Sequence, residues 1–381
     1  MNKLIFFKEN KIFAVIFVFA VIFILRSFIL PLAGDEITYL NISNNILEGR
    51  FYQNDSPSTF TPIIPFILTF FQVLSFPELG FALNKVFNAS LFLIGLYFGY
   101  LFFRENKIDH KVSISIISVT LVTQVVISFI PTLYPDALLF FCFWGFLYYS
   151  TKEANISNFR KMIFLFTVLT LTRHVYAVLG VVVLINLYKL YTYKKLDLKK
   201  ALFYCFACLT PFIVWFKYVY HIESNNLSNL TYFSRFKEES SLFYNIKAGL
   251  GLIQHQEVSR INGIPAFISV FIPITGIRNF VLSVVLISAF IYGYINRKSN
   301  TEGVKILFLS ICLVMLGFVA AGTGFSRYWV PLIPGFYLGY YFLTQKFKVK
   351  NIYFINLLYV MAFIYILNEL RISLIIFEKY L

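Results

Sequence analysis

The sequence predicts an all-α polytopic membrane protein. Hydrophobic residues make up 59% of its 381 positions and charged residues 13%, against roughly half and a quarter in a soluble domain. Mean hydropathy is +0.75. Windows such as 306–326, 328–345 and 351–368 carry no charge, and a bilayer crossing needs about 20 apolar residues. A β-barrel is excluded, because its strands would be alternating segments of about ten residues.

Positive clusters set the topology. They are Lys3/Lys8/Lys11, Arg104/Lys107/Lys111, Lys152/Arg160/Lys161, Lys194/Lys195/Lys199/Lys200, Arg297/Lys298/Lys305 and Lys346/Lys348/Lys350. Lysine and arginine gather in short cytoplasmic loops. The net charge of +15 therefore reads as topology and not as a nucleic-acid surface. With all clusters on one side, an even number of crossings separates each from the next.

The elements follow in order. Residues 12–31 run outward as an anchor, too long and lacking the small-residue cleavage site of a removed signal. "PIIPFILTFFQVLSF", 62–76, is short and opens with two prolines, so it reads as a helix at the outer interface. Residues 82–103 return, 112–131 go out and 136–150 come in. Residues 162–190 have positive charge at both ends and fold into two short limbs, Met162–Thr172 and Val175–Tyr188, meeting at Arg173-His174. Spans 201–219, 279–296, 306–322, 328–345 and 352–370 complete about eleven spanning or half-spanning helices.

Two large extracytoplasmic loops remain, 32–81 and 220–278. The second includes "SLFYNIKAGLGLI", which reads as an amphipathic helix, and the non-spanning Ile264–Gly276. No internal repeat is readable, so residues 1–381 form one membrane domain. Cys142, Cys205, Cys208 and Cys312 all lie in apolar runs. The C-x-x-C at Cys205 has no second pair, so these are small core residues and not a metal site.

The topology brings Asp35, Glu36, Lys85, Asp136, Arg173, Arg278 and Arg327 to the outer face. Ionisable groups in spans are costly and face a cavity or a partner. Acids and bases on one face suit an anionic substrate whose reaction needs a base: a carboxylate takes a proton, and arginine holds a phosphate. Each residue also has a plainer reading. Lys85, Arg278 and Arg327 suit interfacial anchors. Asp136 suits a cap after Pro135, and Asp35-Glu36 the first turn of a loop helix.

Six stretches resemble, in order, the motifs of the polyprenyl-phosphate-sugar-dependent membrane glycosyltransferases of the GT-C fold, relatives of the protein mannosyltransferases and the lipid A aminoarabinose transferases. "GDEITYLNISNNILEGRFYQND" looks like the Asp-Glu motif of the first external loop, and "STFTPIIPFILTFF" like the juxtamembrane helix after it. "LGFALNKVFNASL" matches the basic residue opening the second span. "PTLYPDALLFF" matches the second acidic motif. "LTRHVYAVLG" resembles the turn between two short helices, and "SRYWVPLIPG" the late Arg-Tyr motif. The resemblance covers residues 1 to about 345.

It implies that Asp35 is the general base or positions the acceptor, with Glu36 in support. Asp136 would be the second acid of the cavity. Lys85, Arg173 and Arg327 would hold the donor phosphate. The implied partners are a polyprenyl-phosphate-linked sugar, membrane lipids and an acceptor that is a lipid, a glycan or a protein. Larger members carry a big C-terminal soluble domain that this sequence lacks, which leaves the acceptor open. Metal use stays open: two acids suit Mg²⁺ or Mn²⁺ through oxygen ligands, but no dedicated cage is readable. Lys-, Asn-, Ile- and Phe-rich usage points to a bacterium, hence to the inner membrane with the active site on the extracytoplasmic face. A lipid-linked-sugar flippase or transporter, or an envelope assembly scaffold, is the alternative.

Overall fold

The computed structural model describes residues 10–51, 60–193, 197–225, 246–247, 276–297, 301–321 and 326–380. Among them every regular element is helical. In order they are α1 (Lys11–Arg26), α2 (Asp35–Leu47), α3 (Ile63–Leu74), α4 (Pro77–Glu105), α5 (His110–Val122), α6 (Gln124–Phe129), α7 (Asp136–Thr151) and α8 (Ile156–Thr172). A 3-10 turn, His174–Leu179, leads into α9 (Gly180–Thr192) and α10 (Leu198–Asn225). Then come α11 (Gly276–Ile295), α12 (Glu302–Ala320), a second 3-10 turn (Ser326–Leu332), α13 (Ile333–Lys346) and α14 (Asn351–Tyr380).

Among the described residues, five segments are long and apolar enough to cross a membrane: Leu79–Glu105, His174–Thr192, Leu202–His221, Glu302–Ala320 and Asn351–Lys379. Several outer faces expose large apolar side chains. Ile12, Val15, Val18, Ile22 and Leu25 stripe α1, and Phe203, Phe206, Leu209 and Ile213 stripe α10. Contiguous apolar exposure on that scale suits a lipid surface.

The core is organised around α7, which packs against α4, α8, α12 and the second 3-10 turn. Its approach to α4 is close. A Cβ on Gly95 would stand 2.7 Å from Phe140 Cδ1 and 2.9 Å from Phe141 Cα. Trp144 is fully buried on α7, and its indole N–H donates to the Pro331 carbonyl at 3.0 Å. That bond sets the height of the second 3-10 turn. Trp144→Phe strands a buried carbonyl, so a loss of about 1–3 kcal/mol is expected, read as a lower thermal unfolding midpoint in detergent.

Helix α5 is buried on every side from Val112 to Val122 although it carries several hydroxyls. Most are satisfied locally: Ser113 donates to Asp109 O, Ser115 to Val112 O and Thr120 to Ile116 O, while Ser118 Oγ finds no partner among the described residues.

Several elements differ in extent from the sequence reading. The outward run 12–31 is helical only to Arg26, then turns. The span 112–131 is two helices broken at Thr123, whose φ of −57° and ψ of 132° are extended; no proline or glycine marks the break. The limbs meeting at Arg173 are longer than 162–172 and 175–188. The first is 17 residues and the second, His174–Thr192, is 19, about 25 and 28 Å at 1.5 Å per residue. Residues 328–345 divide into a 3-10 turn and α13. The last helix runs well past 370, and α4 begins at Pro77 instead of 82.

Helix α3 has 12 residues, about 18 Å, and matches the short segment expected at 62–76. Within the expected loop 32–81, Asp35–Leu47 and Ile63–Leu74 are helices. "SLFYNIKAGLGLI" and Ile264–Gly276 lie outside the described residues apart from isolated positions, as does the side chain of Arg278.

Candidate functional site

The site starts at a tight turn. Gly34 has φ +61° and ψ −131°, a backbone open to glycine and strained for any other residue. A Cβ there would also stand 2.9 Å from the Tyr134 hydroxyl. Gly34→Ala is expected to lower stability by about 1–3 kcal/mol, read by thermal unfolding.

Helix α2 begins immediately after, with Asp35 and Glu36 in its first turn, where acids favour the positive end of the helix. Successive side chains on a helix point about 100° apart, and these two go to different partners. Glu36 is buried, 5% exposed. Its Oε2 accepts from the Ala33 amide at 3.1 Å and its Oε1 from the Leu133 amide at 2.9 Å. Tyr134 donates to the Ala33 carbonyl at 3.2 Å. These bonds sew the turn before α2 to the segment before α7.

Asp35 is turned toward Arg327. Its Oδ2 accepts from the Arg327 guanidinium at 2.6 Å, with side chains 40% and 14% exposed. Arg327 lies among aromatic rings, 4.4 Å from the Tyr134 centroid, 5.4 Å from Tyr328 and 5.9 Å from Phe129. Arg173 lies 3.5 Å from the Tyr328 ring centroid, so one tyrosine stands beside two guanidinium groups. Arg173 occupies the extended break after α8, with φ −158° and ψ 113°. The Thr172 carbonyl exposed by that break accepts from the Thr61 hydroxyl at 2.8 Å, which satisfies a helix-end orphan.

Asp136 opens α7 and is 0% exposed. Neither carboxylate oxygen has a hydrogen-bond partner among the described residues. It lies within electrostatic reach of Arg327, Arg173 and Asp35. A buried carboxylate without hydrogen bonds is expensive, so this position needs a ligand, a water or a proton. Lys85 is 7% exposed. Its Nζ donates to the Ser27 carbonyl at 2.7 Å, 5.6 Å from the Phe28 ring centroid. It pairs electrostatically with Glu36.

The six sequence candidates therefore divide. Asp35, Asp136, Arg173 and Arg327 form one cluster. Glu36 and Lys85 lie on the adjoining side and bind backbone groups.

Tyrosines complete the site, and the sequence reading did not single them out. Tyr39, one turn after Asp35, is 6% exposed and within reach of Arg173, Arg327, Asp35 and Asp136. Burial pushes its hydroxyl well above the ordinary tyrosine range, and the two arginines act against that. Burial likewise raises Tyr134, opposed by Arg327. Tyr176 lies beneath, fully buried, with a hydroxyl that has no partner among the described residues. The i+4 spacing from Asp35 was a usable signal for Tyr39; the other tyrosines carried none.

Chemically, the cluster can hold an anion between two guanidinium groups and accept a proton at Asp35. Among the described residues no group of three or more His, Cys, Asp or Glu side chains could hold a metal ion; Asp35 and Asp136 are two. Compared with protein-family models, curated proteins and solved structures, the chain matches none.

Proposed function

We propose that the protein is a membrane glycosyltransferase. It moves a sugar from a polyprenyl-phosphate carrier to an acceptor hydroxyl at the outer face of the membrane. The observation that carries the reading is the Asp35–Arg327 ion pair, with Arg173 alongside and the buried, unpartnered Asp136. An acid that can accept a proton sits beside bases that can hold a phosphate.

In this reaction the acceptor oxygen forms a bond to the anomeric carbon as its proton passes to Asp35. The bond from that carbon to the phosphate oxygen breaks, and its electron pair leaves with the polyprenyl phosphate. Direct displacement inverts the anomeric configuration. Arg173 and Arg327 stabilise the charge gathering on the phosphate. Asp136 orients a sugar or acceptor hydroxyl. Glu36 keeps Asp35 in place by holding two backbone amides, and Lys85 supports the phosphate side. The short α3 lies beside α2 and α4, where a lipid tail enters sideways. In a bacterium the site would face outward from the inner membrane, serving envelope glycan, lipid or protein glycosylation, with Mg²⁺ or Mn²⁺ as an optional aid.

The test is transfer of radiolabel from a panel of polyprenyl-phosphate sugars in membranes carrying the protein. Label passing from one donor to an acceptor supports the reading and names the sugar. No transfer from any donor overturns it.

One observation favours a second reading, a lipid-linked-sugar flippase or transporter. Helices are broken at Thr123, at Arg173 and before α13, and transporters build midplane sites from broken helices. Donor crossing vesicle membranes without chemical change would select it. An assembly scaffold needs no converging acids and bases.

A further inference from the structure

Resting on the transferase reading, a second property follows from the way its base is held. Asp35 Oδ2 is engaged by Arg327 at 2.6 Å. A lone pair directed at a guanidinium is not available to a substrate hydroxyl. The same guanidinium is a candidate to bind the donor phosphate, and it cannot serve both partners in full.

We infer that the Asp35–Arg327 pair is a substrate-operated switch, in which an arriving phosphate takes the guanidinium and frees Oδ2 of the carboxylate. Arginine binds carboxylate and phosphate with the same forked geometry and comparable strength, so the exchange is nearly balanced and reversible. A second guanidinium stands ready, because Arg173 flanks Tyr328 on which Arg327 also borders. The phosphate thus gains two arginines where Asp35 had one.

The surroundings allow the movement. Besides its bond to Asp35 and a hydrogen bond with Tyr328, Arg327 is bordered by aromatic rings, contacts that tolerate sliding. Its backbone, on the second 3-10 turn, is tied down through Pro331, so the exchange needs only the side chain to swing. Asp35 is 40% exposed, so an anion can approach from the open side. The neighbouring Glu36 is tied to two backbone amides, so the start of α2 stays fixed while the arginine moves. The base is then released only when the donor is seated.

The test labels carboxylates of the purified full chain in detergent with a water-soluble carbodiimide and an amine, and reads Asp35 by mass spectrometry. A short-chain polyprenyl monophosphate is added in one arm and inorganic phosphate in another; binding is measured separately with radiolabelled ligand. Asp35 labelling is expected to rise at least threefold on binding of the prenyl phosphate. A parallel rise with inorganic phosphate would show that the phosphate group alone is the trigger, which also supports the switch. Arg327→Gln is expected to label at the higher level without ligand and to ignore it. Binding to the wild type with Asp35 labelling unchanged or lower overturns the switch and leaves the transferase reading standing. Binding of neither ligand overturns the donor reading and the switch together.

Discussion

Removing one partner of the Arg26–Glu369 ion pair is expected to destabilise the protein by about 3–5 kcal/mol. Arg26 on α1 and Glu369 on α14 are 6% and 0% exposed and meet at 2.7 Å. The same guanidinium donates to the Ser373 hydroxyl at 2.8 Å and to the Glu369 carbonyl at 3.2 Å. Arg26→Met leaves an uncompensated buried carboxylate; Glu369→Met leaves the guanidinium. Both single variants should unfold at clearly lower temperature in detergent. The double variant, Arg26→Met with Glu369→Met, should recover most of the loss, because an apolar pair of similar volume removes the desolvation penalty together with the attraction. If the double variant is as unstable as the sum of the singles, the pair is not coupled and this account fails.

Asp35→Asn is expected to lower sugar transfer by about 10²- to 10⁴-fold, the usual worth of a general base. Asparagine keeps the volume and an acceptor oxygen, so thermal stability should change by less than about 1 kcal/mol; the pair it weakens is partly exposed, and such pairs contribute little. Donor binding should persist, since the phosphate contacts belong to Arg173 and Arg327. Transfer at the wild-type rate in Asp35→Asn would remove Asp35 from the base role.

The helical membrane character was legible because it is written in every window: charge-free runs and lysine-rich ends need no tertiary knowledge. So was the break at Arg173, where charge stands between two apolar limbs. The sequence reading places Asp35, Asp136, Arg173 and Arg327 on one face, together with Glu36 and Lys85, and the structure brings the four close to one another.

Other features have no local sign. Asp35 and Glu36 are adjacent, yet the helical rotation between them sends one to a guanidinium and the other to backbone amides. The anchor of Lys85 is the Ser27 carbonyl, and every residue has a carbonyl. The break at Thr123 follows no proline or glycine. Arg26 and Glu369 are 343 positions apart, and nothing near either announces the other. The long extent of α14 was missed because Glu369 and Arg371 looked like the end of a span, whereas burial of Glu369 against α1 lets the helix continue.

That long separation also bears on biogenesis. Translation proceeds at about 5–20 residues per second. Arg26 therefore leaves the ribosome roughly 17–70 s before Glu369 at those rates. Through that interval the guanidinium on α1 is without this counter-ion. The last helix delivers the counter-ion and draws that cation inward. This contact between α1 and α14 thus forms only after the intervening residues have been made.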